Sequence, residues 1–237
     1  VTALHELPPG TVWSAAQISE RQAVLRASDY EWDVVESLPV SEAIKTQGPQ
    51  MRAHITAYKS SLEALAAANI TTICYNFMPI LDWTRTDLRA VQPHGGAAMR
   101  FDLIDFAVFD LHILQRAQGA ESYSDTQRAA AAERFNALSD DEKKQLQRNI
   151  IAGLPGANDS WSLEDVRALL HSYKGITRAK LRSHLIDFLS EVAPHAETLG
   201  LRLCCHPDDP PFSLLGLPRV MSSSADYSSV LNAVDLQ

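Results

Sequence analysis

Leu199-Gly200-Leu201-Arg202-Leu203-Cys204-Cys205-His206-Pro207 carries a helix end, a strand and the start of a loop within nine residues. Upstream, Leu181, Leu185, Phe188, Leu189, Val192, Ala196 and Leu199 recur at helical spacing and form one apolar face. Gly200 closes that helix, because a glycine just past the last turn adopts the left-handed conformation without a steric penalty. Leu201 to His206 then reads as a strand, ended by Pro207. Ser224 to Val234 reads as the helix that follows.

The same rhythm appears towards the start of the chain. Val1-Thr2-Ala3-Leu4 reads as the end of a first strand, running into the loop His5-Glu6-Leu7-Pro8-Pro9-Gly10. Ser14 followed by Gln17 is a capping-box start for a helix. Tyr30 to Glu36 reads as a second strand, with Pro39 beyond it. Met51, Ile55, Tyr58, Leu62 and Leu65 mark a helix that ends near Ala68-Asn69. Ile70 to Asn76 is rich in β-branched residues and reads as a third strand. Alternating strands and helices imply an α/β fold with a parallel sheet. The chain has no G-x-G-x-x-G and no P-loop lysine motif. The four units therefore read as strands 1–4 of a (β/α)8 barrel rather than as a dinucleotide-binding sheet. On this reading residues 1–237 form one incomplete barrel domain. The chain opens with Val inside an apolar stretch and reads as a piece of a longer protein, whose intact mass would settle the matter. An open half-barrel exposes unpaired sheet edges and is expected to be poorly soluble by itself.

Between the third and fourth strands the rhythm breaks. Residues 77–176 are far too many for a βα loop of the usual 2–6 residues. They are read as a helical insertion at the carboxyl end of the third strand, where barrel active-site loops grow. Ser139 with Glu142, and Ser162 with Asp165, mark two helix starts. Pro93-His94-Gly95-Gly96 marks a turn.

Composition narrows the function classes. Net charge is −8, and an acidic surface repels phosphates, so nucleic acid is not an expected partner. No apolar run approaches the roughly 20 residues that span a bilayer, and no signal peptide is visible. Three cysteines, Cys74, Cys204 and Cys205, fit a reducing compartment, so the expected location is cytoplasmic. All three lie inside strands and are expected in the core. Cys205 is expected to point away from the face His206 uses, because strand residues alternate.

His206-Pro207-Asp208-Asp209-Pro210-Pro211 is the sharpest local feature. A histidine at a strand's last position points into a barrel mouth, and neutral imidazole is the commonest protein metal ligand. The prolines would stiffen the loop around its carboxylates. Equally, the prolines merely end the strand and the aspartates are solvated, and spacing alone leaves both readings open. His5, Glu36 and Asn76 also fall at or just past strand ends. Taken singly, each is a polar residue beginning a loop. Four on successive strand ends point to a shared concave site. Beyond the third strand, Arg85 suits a bidentate carboxylate clamp and Trp83 a sugar wall, while Asp87 reads as structural. His112 is expected to be packed, and His54, His171, His184 and His195 are read as surface or packing residues.

Several motifs resemble one known family. They are Val1 to His5, Val34-Val35-Glu36-Ser37, Cys74 to Pro79, Leu81 to Leu88, Arg148 to Gly156, and His206 to Pro211 with Gly216-Leu217-Pro218-Arg219. Together they resemble the D-mannonate dehydratases of bacterial hexuronate catabolism, nearly end to end. The resemblance implies a xylose-isomerase-like (β/α)8 barrel, a divalent metal, Mn²⁺ or Fe²⁺, and dehydration of D-mannonate to 2-keto-3-deoxy-D-gluconate. It implies that His206 is a metal ligand. It places the other ligands (a Cys, a His and an Asp) and the acid/base group on later strands, beyond residue 237. It also implies a homo-oligomer, a dimer. Glu6 stands where relatives often have a second His, and Phe212 where some have Arg.

The chemistry explains why a metal is expected. Removing the C2 proton of an aldonate builds charge on its carboxylate, and a divalent cation stabilises that charge as a Lewis acid. On this reading Glu36, Asn76 and Arg85, with His5, orient substrate groups, and Asp208 supports the loop or contacts substrate. The rivals are a metal-dependent sugar isomerase or epimerase on the same barrel and a non-catalytic sugar-acid binding protein.

Overall fold

The structure, a computed structural model, describes residues 1–81, 83–152 and 162–234. Asp82 and Gly153 to Gly156, which belong to the quoted motifs, and the chain end at Gln237 lie outside the described residues. The chain divides into two compact units. The first comprises Val1–Pro79, Gly175–Pro211 and the segment from Arg219 onward; the second comprises Ile80–Lys174 and Phe212–Pro218.

In the first unit a parallel sheet runs in the order β1 (Val34–Val35), β2 (Thr72–Tyr75), β5 (Arg202–Cys205). The expected first strand is present as one parallel bridge, Thr2 to Val35. Its Thr2 N–H donates to Val34 O, and Glu36 N–H donates to Thr2 O. Four extended segments thus lie side by side in chain order, which gives a mixed α/β fold with a parallel sheet. The second strand is shorter than Tyr30–Glu36. Tyr30 is exposed, and Trp32 Nε1 donates back to Val34 O at 2.9 Å, so the ladder begins only where Val34 meets Thr72.

Helices cover one face of this sheet. The α1 helix (Ala15–Arg26) starts at the Ser14–Gln17 capping box. It is followed by α2 (Glu42–Lys45) and α3 (Met51–Ala67). The long α8 (Arg178–Thr198) precedes β5, and α9 (Ser224–Leu231) follows it. Gly200 has φ +70° at the end of α8, as its position requires. Ile55, Tyr58, Leu62 and Leu65 of α3 are buried, as are Leu181, Leu185, Phe188, Leu189, Val192 and Ala196 of α8. The Phe188 ring meets Tyr58 edge-on at 5.2 Å and Tyr75 at 6.0 Å. Burying a ring of that size contributes about 2–3 kcal/mol.

That contact fixes the two faces of the sheet. Val35, Ile73 and Tyr75 are fully buried towards the helices. Alternation then places Glu36, Cys74, Asn76, Cys204 and His206 on the other face. Cys204 is therefore exposed, contrary to the core position expected for it, because no helix covers its face among the described residues.

The second unit is not wholly helical. Besides α4 (Leu103–Val108), α5 (Asp125–Ala137), α6 (Asp140–Ile151) and α7 (Leu163–Ser172), it holds an antiparallel hairpin of β3 (Asp87–Val91) and β4 (Ala97–Arg100). The expected turn at Pro93–Gly96 joins these strands; Gln92 N–H donates to Gly96 O at 2.7 Å, and Gly95 takes φ +86°. Ala97 and Ala98 are helix formers, and pairing with Val91 and Ala90 overrides that preference. Ser139 and Ser162 form capping boxes with Glu142 and Asp165, as expected, and Ser124 forms another with Gln127 at α5. A π-helical turn, Phe109–Ile113, holds Asp110 fully buried. Its carboxylate accepts from Arg116 at 2.8 and 2.7 Å and from the Tyr123 hydroxyl at 3.0 Å. His112 stacks on Phe135 at 4.9 Å, a packing role.

Candidate functional site

Glu36, Asn76 and His206 each immediately follow the last residue of a parallel strand. The ladder extends to this row: His206 N–H donates to Tyr75 O at 2.7 Å, and Tyr75 pairs with Cys205. All three thus stand at the carboxyl edge of the sheet, on the face the helices leave open, the usual ligand edge of parallel sheets. His5 lies in the exposed turn three residues past Thr2. Beside it, Glu6 forms an ion pair with Arg21 at 3.0 Å.

The imidazole of His206 has a defined tautomer. Its Nδ1 lies 2.7 Å from Pro207 O, and a carbonyl oxygen only accepts. Nδ1 therefore carries a proton, and in the neutral ring Nε2 is the nitrogen with the lone pair. A backbone carbonyl that fixes Nδ1–H is the arrangement that orients metal-binding histidines. Among the described residues no group of three or more His, Cys, Asp or Glu side chains converges as a complete metal site. Among the described residues, His206 thus offers a donor of the kind divalent metals bind, without the partners of a complete site.

The cysteines do not extend it. Burial pushes the Cys205 thiol up to about 12, and its neighbours there are Tyr75 and Tyr227, on the helix side. Cys205 thus points away from the face of His206, as alternation predicts. Burial also pushes Cys74 up to about 12, and the adjacent Glu36 carboxylate adds to the effect. Both thiols are poor thiolate donors near neutrality.

The loop after His206 is braced on two sides. Asp208 is 5% exposed, and its Oδ2 accepts from Met221 N–H at 2.6 Å and from the Ser222 hydroxyl at 2.7 Å. Its own N–H donates to Met221 O at 3.1 Å. Next to Ser222, the Asp226 carboxylate accepts from Arg178, Arg182 and Ser223 and caps α9. On the other side, Asp209 N–H donates to Met78 Sδ at 3.2 Å. The carbonyl of Met78 accepts from Lys45 Nζ at 2.8 Å, and Lys45 also pairs with Glu42 at 2.8 Å. Two residues past Met78, the buried Ile80 has φ +60°. That conformation costs a β-branched residue roughly 1–3 kcal/mol and persists only where surroundings impose it.

Arg85 belongs to the second unit. Its NH1 donates to Thr84 O at 2.9 Å, and its guanidinium lies 5.8 Å from the Trp83 ring centroid. Asp87 accepts from Arg89 N–H, a turn contact consistent with a structural role. Three further histidines are tied elsewhere: His54 to Ser41, His184 to Lys45 O and His195 to Glu63. The residues that sequence reasoning passed over are Lys45, Met78 and Ser222. Glu42 and Lys45 stand at the i, i+3 spacing of one helical turn, but nothing in that spacing marks the ammonium as buried.

Known proteins resemble this chain throughout its length. The family model described as D-mannonate dehydratase (UxuA) matches residues 1–237. A mannonate dehydratase of Rhizobium meliloti (strain 1021) is 52% identical over 235 residues, covering 99% of this chain and 58% of that protein. Mannonate dehydratase 1 of Agrobacterium fabrum is 51% identical over 235 residues, covering 99% and 58% respectively. The crystal structure of mannonate dehydratase from Streptococcus suis serotype 2 superposes with a TM-score of 0.69 at 29% identity, covering all of this chain and 52% of that one. The chain thus spans little more than half the length of these relatives, and it belongs to the D-mannonate dehydratase family.

Proposed function

We propose that the complete protein is a hydro-lyase that dehydrates D-mannonate to 2-keto-3-deoxy-D-gluconate on a (β/α)8 barrel of the xylose-isomerase type. The supporting observation is family membership over the whole chain, joined to a row of polar residues at the carboxyl edge of a parallel sheet. The strands follow one another in chain order with helices on one face, as in the first half of such a barrel.

His206 would hold a divalent metal, Mn²⁺ or Fe²⁺, through Nε2. When bound, that ion supplies Lewis-acid stabilisation of charge on the substrate carboxylate. Glu36 and Asn76 would orient substrate hydroxyls, with His5 at the rim. Arg85 would clamp the carboxylate bidentately. Asp208 would keep His206 in place through its bonds to Met221 and Ser222. The remaining ligands and the acid/base group would come from the part of the longer relatives that this chain does not match. A cytoplasmic homodimer is the expected form. Among the described residues no helix is long and apolar enough to cross a membrane.

The test is to incubate the complete protein with Mn²⁺ and D-mannonate and follow the 2-keto-3-deoxy acid by its thiobarbiturate colour. Turnover of ketoses instead would indicate an isomerase, and tight mannonate binding without turnover a binding protein. His206→Ala should abolish dehydration and weaken metal binding; full activity with full metal occupancy would overturn its role.

A further inference from the structure

Lys45 is almost wholly buried, at 1% exposure, although it carries a cationic head. A buried ammonium is retained only where its donors are matched. Here they meet the Glu42 carboxylate at 2.8 Å and Met78 O at 2.8 Å. The backbone carbonyl of the same residue accepts from His184 of α8, Nδ1 lying 2.7 Å away. Lys45 thus joins α2, α8 and the segment that leaves β2. Met78 passes the restraint on, because its Sδ accepts from Asp209 N–H in the loop that begins at His206. Asn76 stands two residues before Met78 and His206 three before Asp209. The route from ammonium to imidazole therefore consists of two hydrogen bonds and short backbone spans.

We infer that Lys45 is a positioning residue: its ammonium, acting through Met78, holds the Asn76–Pro79 and His206–Pro211 loops in register at the edge of the sheet. The inference rests on the proposed dehydratase reading for its catalytic consequence only. A hydrocarbon of the same length would fill the space but leave Met78 O without its donor. The segment would then relax, and Asp209 N–H would lose its fixed partner.

The experiment uses the complete protein and compares Lys45→Met, Lys45→Arg and Met78→Leu with the wild type. Amide hydrogen exchange of peptides covering Phe77–Ile80 and Pro207–Pro211 is measured without substrate, and kcat and KM with D-mannonate. Lys45→Met should speed exchange in both segments about tenfold and lower kcat by a similar factor, with KM changed less than threefold. Lys45→Arg should restore part of both losses. Met78→Leu keeps the packing, and it should speed exchange at Asp209 alone. It decides the matter if Lys45→Met fails to fold. Unchanged exchange in both segments for a folded Lys45→Met, or at Asp209 for Met78→Leu, would overturn the inference. Should the wild type not dehydrate mannonate while exchange responds as described, the positioning role stands and the function proposed above fails.

Discussion

Asp208 accepts the Ser222 hydroxyl at 2.7 Å, and the same carboxylate oxygen also takes the Met221 N–H at 2.6 Å. One buried oxygen thereby ties the loop carrying His206 to the residues just before α9. The motif that reads as a candidate site is held by an aspartate turned towards the protein.

Asp208→Ala should therefore destabilise the first unit markedly. It strands two donors in a buried place, and bonds to a charged acceptor are worth about 1.5–3 kcal/mol each. A loss of about 3 kcal/mol is expected in chemical denaturation, read as a shift in midpoint at constant slope. Asp208→Asn should cost less, since its amide oxygen still accepts. A change below about 0.5 kcal/mol for alanine, the range of an ordinary surface substitution, would contradict the brace.

In the second unit, Ser139 and Ser162 accept the N–H of Glu142 and Asp165, and each partner side chain returns a bond to its cap. Ser139→Ala and Ser162→Ala should each cost about 1 kcal/mol, and the glycine variants only a few tenths. Amide exchange in the first turns of α6 and α7 is the direct measurement. If the alanine and glycine variants prove equal to wild type, the boxes contribute nothing.

The three cysteines should separate by reactivity. Cys204 is exposed, whereas Cys74 is buried and both Cys74 and Cys205 have thiols pushed up to about 12 by burial. The thiolate is the reacting species, so iodoacetamide at pH 8 should modify Cys204 of the 237-residue chain first. Peptide mass mapping after brief exposure would show it. Preferential labelling of Cys205 would mean that the assigned faces of β5 are reversed.

The helices and strands that position the edge were legible because apolar spacing is a local signal. The α3 and α8 faces, the Gly200 stop and the serine caps all follow from residues a few places apart. The β3–β4 hairpin was not legible, since its alanines favour a helix in isolation and only pairing makes them strands. Glu36, Asn76 and His206 could be placed on one edge because each ends a strand of recognisable pattern. The partners that hold them could not. Lys45 meets Met78 across 33 residues and Asp208 meets Ser222 across 14, and no periodicity records such pairings. The exposure of Cys204 was missed for a related reason. A place inside a strand was taken to mean the core, and among the described residues helices cover only one face of this sheet.

Acid should act on the first unit through Asp226. Burial by itself would raise its pKa, but the Ser223 hydroxyl, the Ser222 N–H, Arg178 and Arg182 outweigh burial and hold the carboxyl below its ordinary 3.8. A group with a depressed folded pKa stabilises the protein above its unfolded value, and that contribution disappears as the pH falls through the folded one. Asp226→Asn keeps the shape but cannot carry the charge. At pH 7 it should cost about 3 kcal/mol, the lower end for a broken buried pair because Arg178 is half exposed. The difference between wild type and Asp226→Asn should stay level down to about pH 5 and narrow steadily below the ordinary carboxylate value. Urea midpoints at pH 7, 5 and 3 would trace it. A difference that is the same at pH 3 as at pH 7 would mean that something other than the Asp226 charge holds the start of α9 against α8.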